Sequence, residues 1–135
     1  MTARATIVTL LSAAALAAGA CSSAEKPVAG ELSVRLTTPN GDDRAVLFRL
    51  AGKQSAVTLP SGSTNRLLLS PGLGDTVRVL VIAPQGSHLV AGELARVSVP
   101  DTRQVASYAA RVLDVASTGY LDRATAGYAL QVVKP

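Results

Sequence analysis

A chain of 135 residues with a net charge of +4, one cysteine, one histidine, one phenylalanine and no tryptophan has room for one modest core, which valine, leucine and alanine must build. One cysteine excludes an intramolecular disulfide, and with a single histidine beside it there is no ligand set for a zinc site. The basic residues Arg35, Arg49, Arg66, Arg78, Arg96, Arg103, Arg111 and Arg123 stand singly between mostly apolar neighbours, a pattern that does not point to nucleic acid.

The first segment, Met1 to Ala20, reads as a secretory leader. Arg4 supplies a weak positive start, Ile7 to Ala18 is apolar and small, and small residues precede position 21. Its charge-free stretch, Ala5 to Ala20, is sixteen residues, whereas a spanning helix needs about 20, so transient insertion and cleavage suit it better than permanent anchorage. Ala18-Gly19-Ala20-Cys21 resembles the lipobox of bacterial lipoproteins, with Ala18 where a leucine is usual. The resemblance implies acylation of the Cys21 thiol, cleavage that makes Cys21 the new N-terminus, and a membrane as partner through the attached lipid. Two thioether-linked chains hold firmly, because each buried methylene adds about 0.8 kcal/mol. The leader also fits plain secretion or an uncleaved anchor, and Cys21 is what separates these readings.

Ser22 is not the aspartate that commonly retains lipoproteins at an inner membrane. The expected location is therefore the cell envelope outside the cytoplasm, at the outer membrane where one exists. Residues 21–30, small, polar and broken by Pro27, read as a lipidated tether and not as a packed element. Loss of the leader removes Arg4 alone and leaves twelve basic against nine acidic side chains. That mildly basic balance suits an anionic envelope surface.

From residue 31 to 135 the hydrophobic period is two. Leu32, Val34 and Leu36 alternate with Ser33, Arg35 and Thr37, and Val46, Phe48 and Leu50 alternate with Leu47 and Arg49, as in strands that bury one face. The stretch from Thr38 to Asp43, with Pro39, Asn40-Gly41 and paired aspartates, predicts a turn between them. Further strands are predicted at 56–59, 66–69, 76–83 and 89–99. The run Val77 to Ile82 is apolar on both faces except at Arg78, which places it centrally in its sheet. Residues 104–116 admit a short helix, because alanine is abundant, but the valines and Tyr108 favour a strand over 104–115. Tyr128, Leu130 and Val132 form the last strand, and Tyr108 and Tyr128 fall on apolar phases that assign them to the core. The fold class is all-β, a two-sheet β-sandwich of jelly-roll or immunoglobulin-like type.

The order of these features is similar to that of cohesin-like domains. The residues that carry the likeness are Leu32-Ser33-Val34-Arg35-Leu36, Ala45-Val46-Leu47-Phe48-Arg49-Leu50, Val77 to Ile82, Ala91 to Val99, and Tyr108 to Val115 followed by Thr118-Gly119. The resemblance implies a jelly-roll sandwich over residues 31–135 and a role in holding a protein partner. The chain is short and carries one copy, so the resemblance does not name a dockerin as that partner.

Candidate chemistry is sparse. His88 is the single histidine, the chain has no Gly-x-Ser-x-Gly, and Gly72-Leu73-Gly74 lacks the lysine of a phosphate loop. Asn40, Asp42 and Asp43 offer oxygen ligands for Ca²⁺, which takes six to eight oxygens, although an aspartate-rich turn serves its own backbone equally well. Tyr120 is the aromatic expected in an exposed loop, where a sugar face stacks. No cofactor and no resident metal are expected. The functional expectation is a non-enzymatic lipoprotein acting as a protein-interaction module. The alternative is capture of a glycan or Ca²⁺ through Asn40, Asp42, Asp43 and Tyr120.

Overall fold

Among the described residues, alternating apolar side chains fold into nine strands. The computed structural model of the protein describes residues 25–135. The expected leader, the expected lipidation at Cys21 and the first residues of the expected tether, 21–24, lie outside the described residues. The strands are β1 (Gly30–Thr37), β2 (Asp43–Ala51), β3 (Ala56–Thr58), β4 (Arg66–Pro71), β5 (Thr76–Ile82), β6 (Gly92–Val99), β7 (Ala109–Ser117), β8 (Asp122–Arg123) and β9 (Ala129–Val133). They form a four-stranded sheet ordered β3-β6-β1-β9 and a five-stranded sheet ordered β4-β5-β2-β7-β8, with every pair antiparallel.

The core lies between the two sheets and is made by the phases the alternation marks. Leu32 and Val34 of β1 face Val46, Phe48 and Leu50 of β2, and all five are fully buried. Val79 and Val81 of β5, Val97 of β6 and Val115 of β7 complete it. β5 sits between β4 and β2, the central place its two-sided apolar run predicts. At the β2–β3 turn Gly52 has φ 123°, and a Cβ there would strike the Tyr108 ring. The Tyr108 hydroxyl donates to the Lys53 carbonyl, so a buried ring with one polar end closes that side of the core.

Three expectations change. Residues 104–115 do not make one strand: Thr102–Ser107 is a 3-10 turn, and β7 begins at Ala109. The cause is Asp101, whose carboxylate accepts from the Arg103 amide at 3.1 Å and caps the turn. The strand expected over 89–99 starts at Gly92, and Leu89 makes only an isolated bridge to Asp43. The described part of the tether is held and not free. Thr102 donates its amide to the Val28 carbonyl at 2.8 Å, and Arg103 donates to the carbonyls of Glu25 and Lys26 at 3.1 and 2.8 Å. An ion pair of 2.5 Å between Arg103 and Glu25 completes this strap.

Strand directions sort the loops between two ends. The strap, the β2–β3 turn, the β4–β5 turn and the 3-10 turn lie at a proximal end, where β1 starts and β2 finishes. The loops 38–42, 83–91, 118–121 and 124–128 lie at the opposite, distal end.

Candidate functional site

All four residues predicted as ligands fall at the distal end, yet they separate into two environments. Asp43 opens β2 and is fully buried. Its carboxylate accepts from the Thr38 hydroxyl and from the Tyr128 hydroxyl at 2.6 Å, with Arg123 Nε 3.8 Å away. Asn40 donates from Nδ2 to the Tyr128 oxygen at 2.8 Å. Asp42 is exposed, and its Oδ1 pairs with Arg123 Nη2 at 2.5 Å. The polar turn is thus a knot that ties loop 38–42 to β8 and to the residue before β9. Its oxygens are directed at protein donors. Among the described residues no three His, Cys, Asp or Glu side chains gather as a metal ion requires.

Tyr128 is half-buried through this knot. Its phase predicts a core residue, and its side chain does pack against the core, but phase says nothing of where the hydroxyl goes. Burying an anion demands donors, so a buried aspartate at a strand start calls for a hydroxyl or guanidinium nearby. The sequence has several such groups and does not say which one arrives.

Tyr120 lies apart from the knot. It is 73% exposed and has φ 60°, the left-handed region that a bulky side chain enters only when its surroundings compel it. Two contacts do so: the Tyr120 amide donates to the Ser117 carbonyl at 2.9 Å, and the Ser117 amide donates to the Leu121 carbonyl at 2.9 Å. The Arg44 guanidinium lies 5.5 Å from the ring centroid, a cation–π distance. Arg44 Nε is buried without a hydrogen-bond partner among the described residues.

These two side chains, with Gln85, Gly86, Ser87, His88 and Thr118, line an open depression of about 340 Å³. His88 and Ser87 both line it, and among the described residues no carboxylate does so to orient the imidazole. Leu121 and Val90 add exposed apolar surface at 71% and 67%. Sequence reading singled out Tyr120 and His88 separately and missed Arg44, which one residue of register after Asp43 turns toward the loops.

The five-stranded sheet gathers side chains that stand apart in the sequence. Its outer face carries Arg78, Arg49 and Arg111 in one row, because Arg49 is the register partner of Arg78 on β5 and of Arg111 on β7. All three are exposed, and none is in an ion pair among the described residues. Arginines that stand singly in sequence form a stripe in space. A second row, Leu68, Leu80, Leu47 and the exposed Asp114, runs beside it, with Leu68 left 49% exposed.

Comparisons of the chain with protein-family models, with curated proteins and with solved structures found no match.

Proposed function

We propose that this chain is a lipid-anchored, non-enzymatic envelope protein whose jelly-roll-type, cohesin-like sandwich holds a protein partner with its distal loops. The observation that carries the reading is Tyr120, exposed at 73%, held at φ 60° and stacked with Arg44 at the end opposite the strap. Tyrosine and arginine are enriched among the residues that dominate binding at protein interfaces, and a ring already in contact with Arg44 loses less freedom when a partner covers it. The anchor reading rests on the leader and on Ala18-Gly19-Ala20-Cys21, which would moor the proximal end and leave the distal loops facing outward.

Two measurements test the proposal. Cell fractionation with Cys21→Ser should move the protein from membrane to soluble fractions, and intact mass of the wild type should show the acyl chains. Cross-linking in envelope membranes should then recover one partner from the wild type and lose it from Tyr120→Ala. Recovery that is indifferent to Tyr120 and Arg44 would sink the distal-loop reading.

A second reading is favoured by the same depression: a glycan stacked on the Tyr120 ring. Raised melting temperature with envelope glycans, abolished in Tyr120→Ala, would choose it. A calcium-dependent rise abolished in Asp42→Asn would choose the cation form of that reading, against the pairing of Asp42 with Arg123.

A further inference from the structure

The arginine row has a cost that no ion pair offsets among the described residues. Like charges directly opposite one another on neighbouring strands destabilise a sheet, and Arg78, Arg49 and Arg111 stand opposite in succession across three strands. Strands in a sheet are about 4.8 Å apart, so three cations share a band about 10 Å wide. A fold that keeps such a row gains something by meeting negative charge from outside.

Its position narrows the partner. The pair Arg49 and Arg111 lies two residues from the pair Ala51 and Ala109 that ends the sheet proximally, about 7 Å along the strand. Arg49 and Arg78 also line a depression of about 210 Å³ with Gly72, Leu73 and Thr76 of the β4–β5 turn. Leu73, at the tip of that proximal turn, is 93% exposed. On the distal side the row meets the leucines: Arg78 lines a second depression of about 270 Å³ with Leu47, Leu68, Leu69 and Leu80. Cations flanked by uncovered leucines are the composition of a surface that lies in a lipid headgroup layer, with guanidinium groups at phosphates and alkyl groups just below.

The strap supplies the remaining constraint. Arg103 holds Glu25 and Lys26 against the proximal end, leaving four residue steps between Cys21 and the first held residue. That chain reaches at most about 14 Å. If Cys21 carries acyl chains, as the anchor reading above has it, the arginine row cannot stand far from the bilayer surface.

We infer that the outer face of the five-stranded sheet, through Arg49, Arg78, Arg111 and Leu73, is a docking surface for anionic phospholipid headgroups. It tilts the proximal part of that face onto the membrane that holds its anchor and leaves the distal loops outward. The inference rests on the anchor for proximity and on the row for recognition. Each basic residue at an anionic surface raises partitioning by a factor of about five. Three together outweigh the freedom of a short tether and set which face meets the lipid.

The test uses the full chain as isolated from membranes, reconstituted into vesicles of phosphatidylcholine alone or with phosphatidylglycerol added. Arginine modification by phenylglyoxal is read by peptide mass spectrometry, with Arg35 on the opposite sheet as the reference. Expected is several-fold protection of Arg49, Arg78 and Arg111 in the anionic vesicles only, reversed by high salt. The triple variant Arg49→Gln, Arg78→Gln, Arg111→Gln should leave the β4–β5 turn equally open to protease in both vesicle types.

Equal modification in both compositions, with the acyl mass on Cys21 present, overturns this surface and leaves the anchor standing. A chain that washes off neutral vesicles overturns the anchor. The surface is then judged by whether anionic vesicles still protect the same three arginines. Protection by soluble polyphosphate without protection by anionic vesicles assigns the row to a polyanionic polymer and overturns the membrane reading.

Discussion

The Tyr128 hydroxyl donates to Oδ1 of Asp43 at 2.6 Å, and in doing so it joins the residue before β9 in one sheet to the first residue of β2 in the other. The bond closes the distal end of the sandwich around a carboxylate that water does not reach. Removing the hydroxyl leaves a buried anion short of a donor, which costs about 1–3 kcal/mol. Tyr128→Phe should therefore lower the free energy of unfolding by that amount in a urea titration, with an unchanged slope. Thr38→Val, which removes the other hydroxyl on Asp43, should act in the same direction. Unaltered midpoints in both variants would show that the knot contributes nothing.

Acidification should release the proximal strap. The Arg103 guanidinium above all, helped by the amides of Arg103 and Val28, holds the Asp101 carboxyl at about 2 against an ordinary 3.8. A carboxyl depressed in the folded state contributes stability above its unfolded value and loses it as pH falls through its folded value. Amide exchange at Val28 and Thr102, corrected for intrinsic rate, should stay slow above pH 3.8 and quicken between there and about 2. Arg103→Ala should show the quickened exchange already at neutral pH.

Tyr120 offers a separation of folding from function. A bulky residue at φ 60° carries about 1–2 kcal/mol of backbone strain that glycine does not. Tyr120→Gly should be more stable than Tyr120→Ala by about 1 kcal/mol, while both lose the cross-linked partner equally. Thermal melts of the two variants provide the check, and an alanine variant as stable as the glycine variant would contradict the strain.

Neutralising the middle of the arginine row should stabilise the domain. Arg49 faces a like charge on each side, so Arg49→Gln should raise stability by about 0.2–1 kcal/mol. The gain should shrink at high salt as the repulsion is screened. A loss of stability would mean that the stem of Arg49 packs on its neighbours more than its charge repels them.

Some of this architecture is legible in the chain because it is local. Leu32, Val34 and Leu36, and again Val46, Phe48 and Leu50, declare their inward face by spacing alone, since a pleat turns each successive side chain to the other side. The 3-10 turn at Thr102–Ser107 was not legible. Val105 and Tyr108 sit among alanines in a pattern that fits strand or helix, and the cap that decides the matter is a side chain, Asp101, outside the segment. Asp43 misled for a related reason: an aspartate in a polar turn is ordinarily solvated, and here Thr38, Tyr128 and Arg123 converge on it from three places in the chain.

Taken alone, the residues determine that the chain is built of half-buried strands, which side chains face inward, and that Tyr120 sits in an exposed loop. Tertiary structure alone decides that Arg78, Arg49 and Arg111, whose neighbours in the row are 29 and 62 positions apart along the chain, stand side by side, and that the β2 start and the residue before β9 share one carboxylate. The physical reason is that face is set by the pleat within a strand, whereas neighbourhood is set by register between strands. Register depends on how two sheets close over a common core.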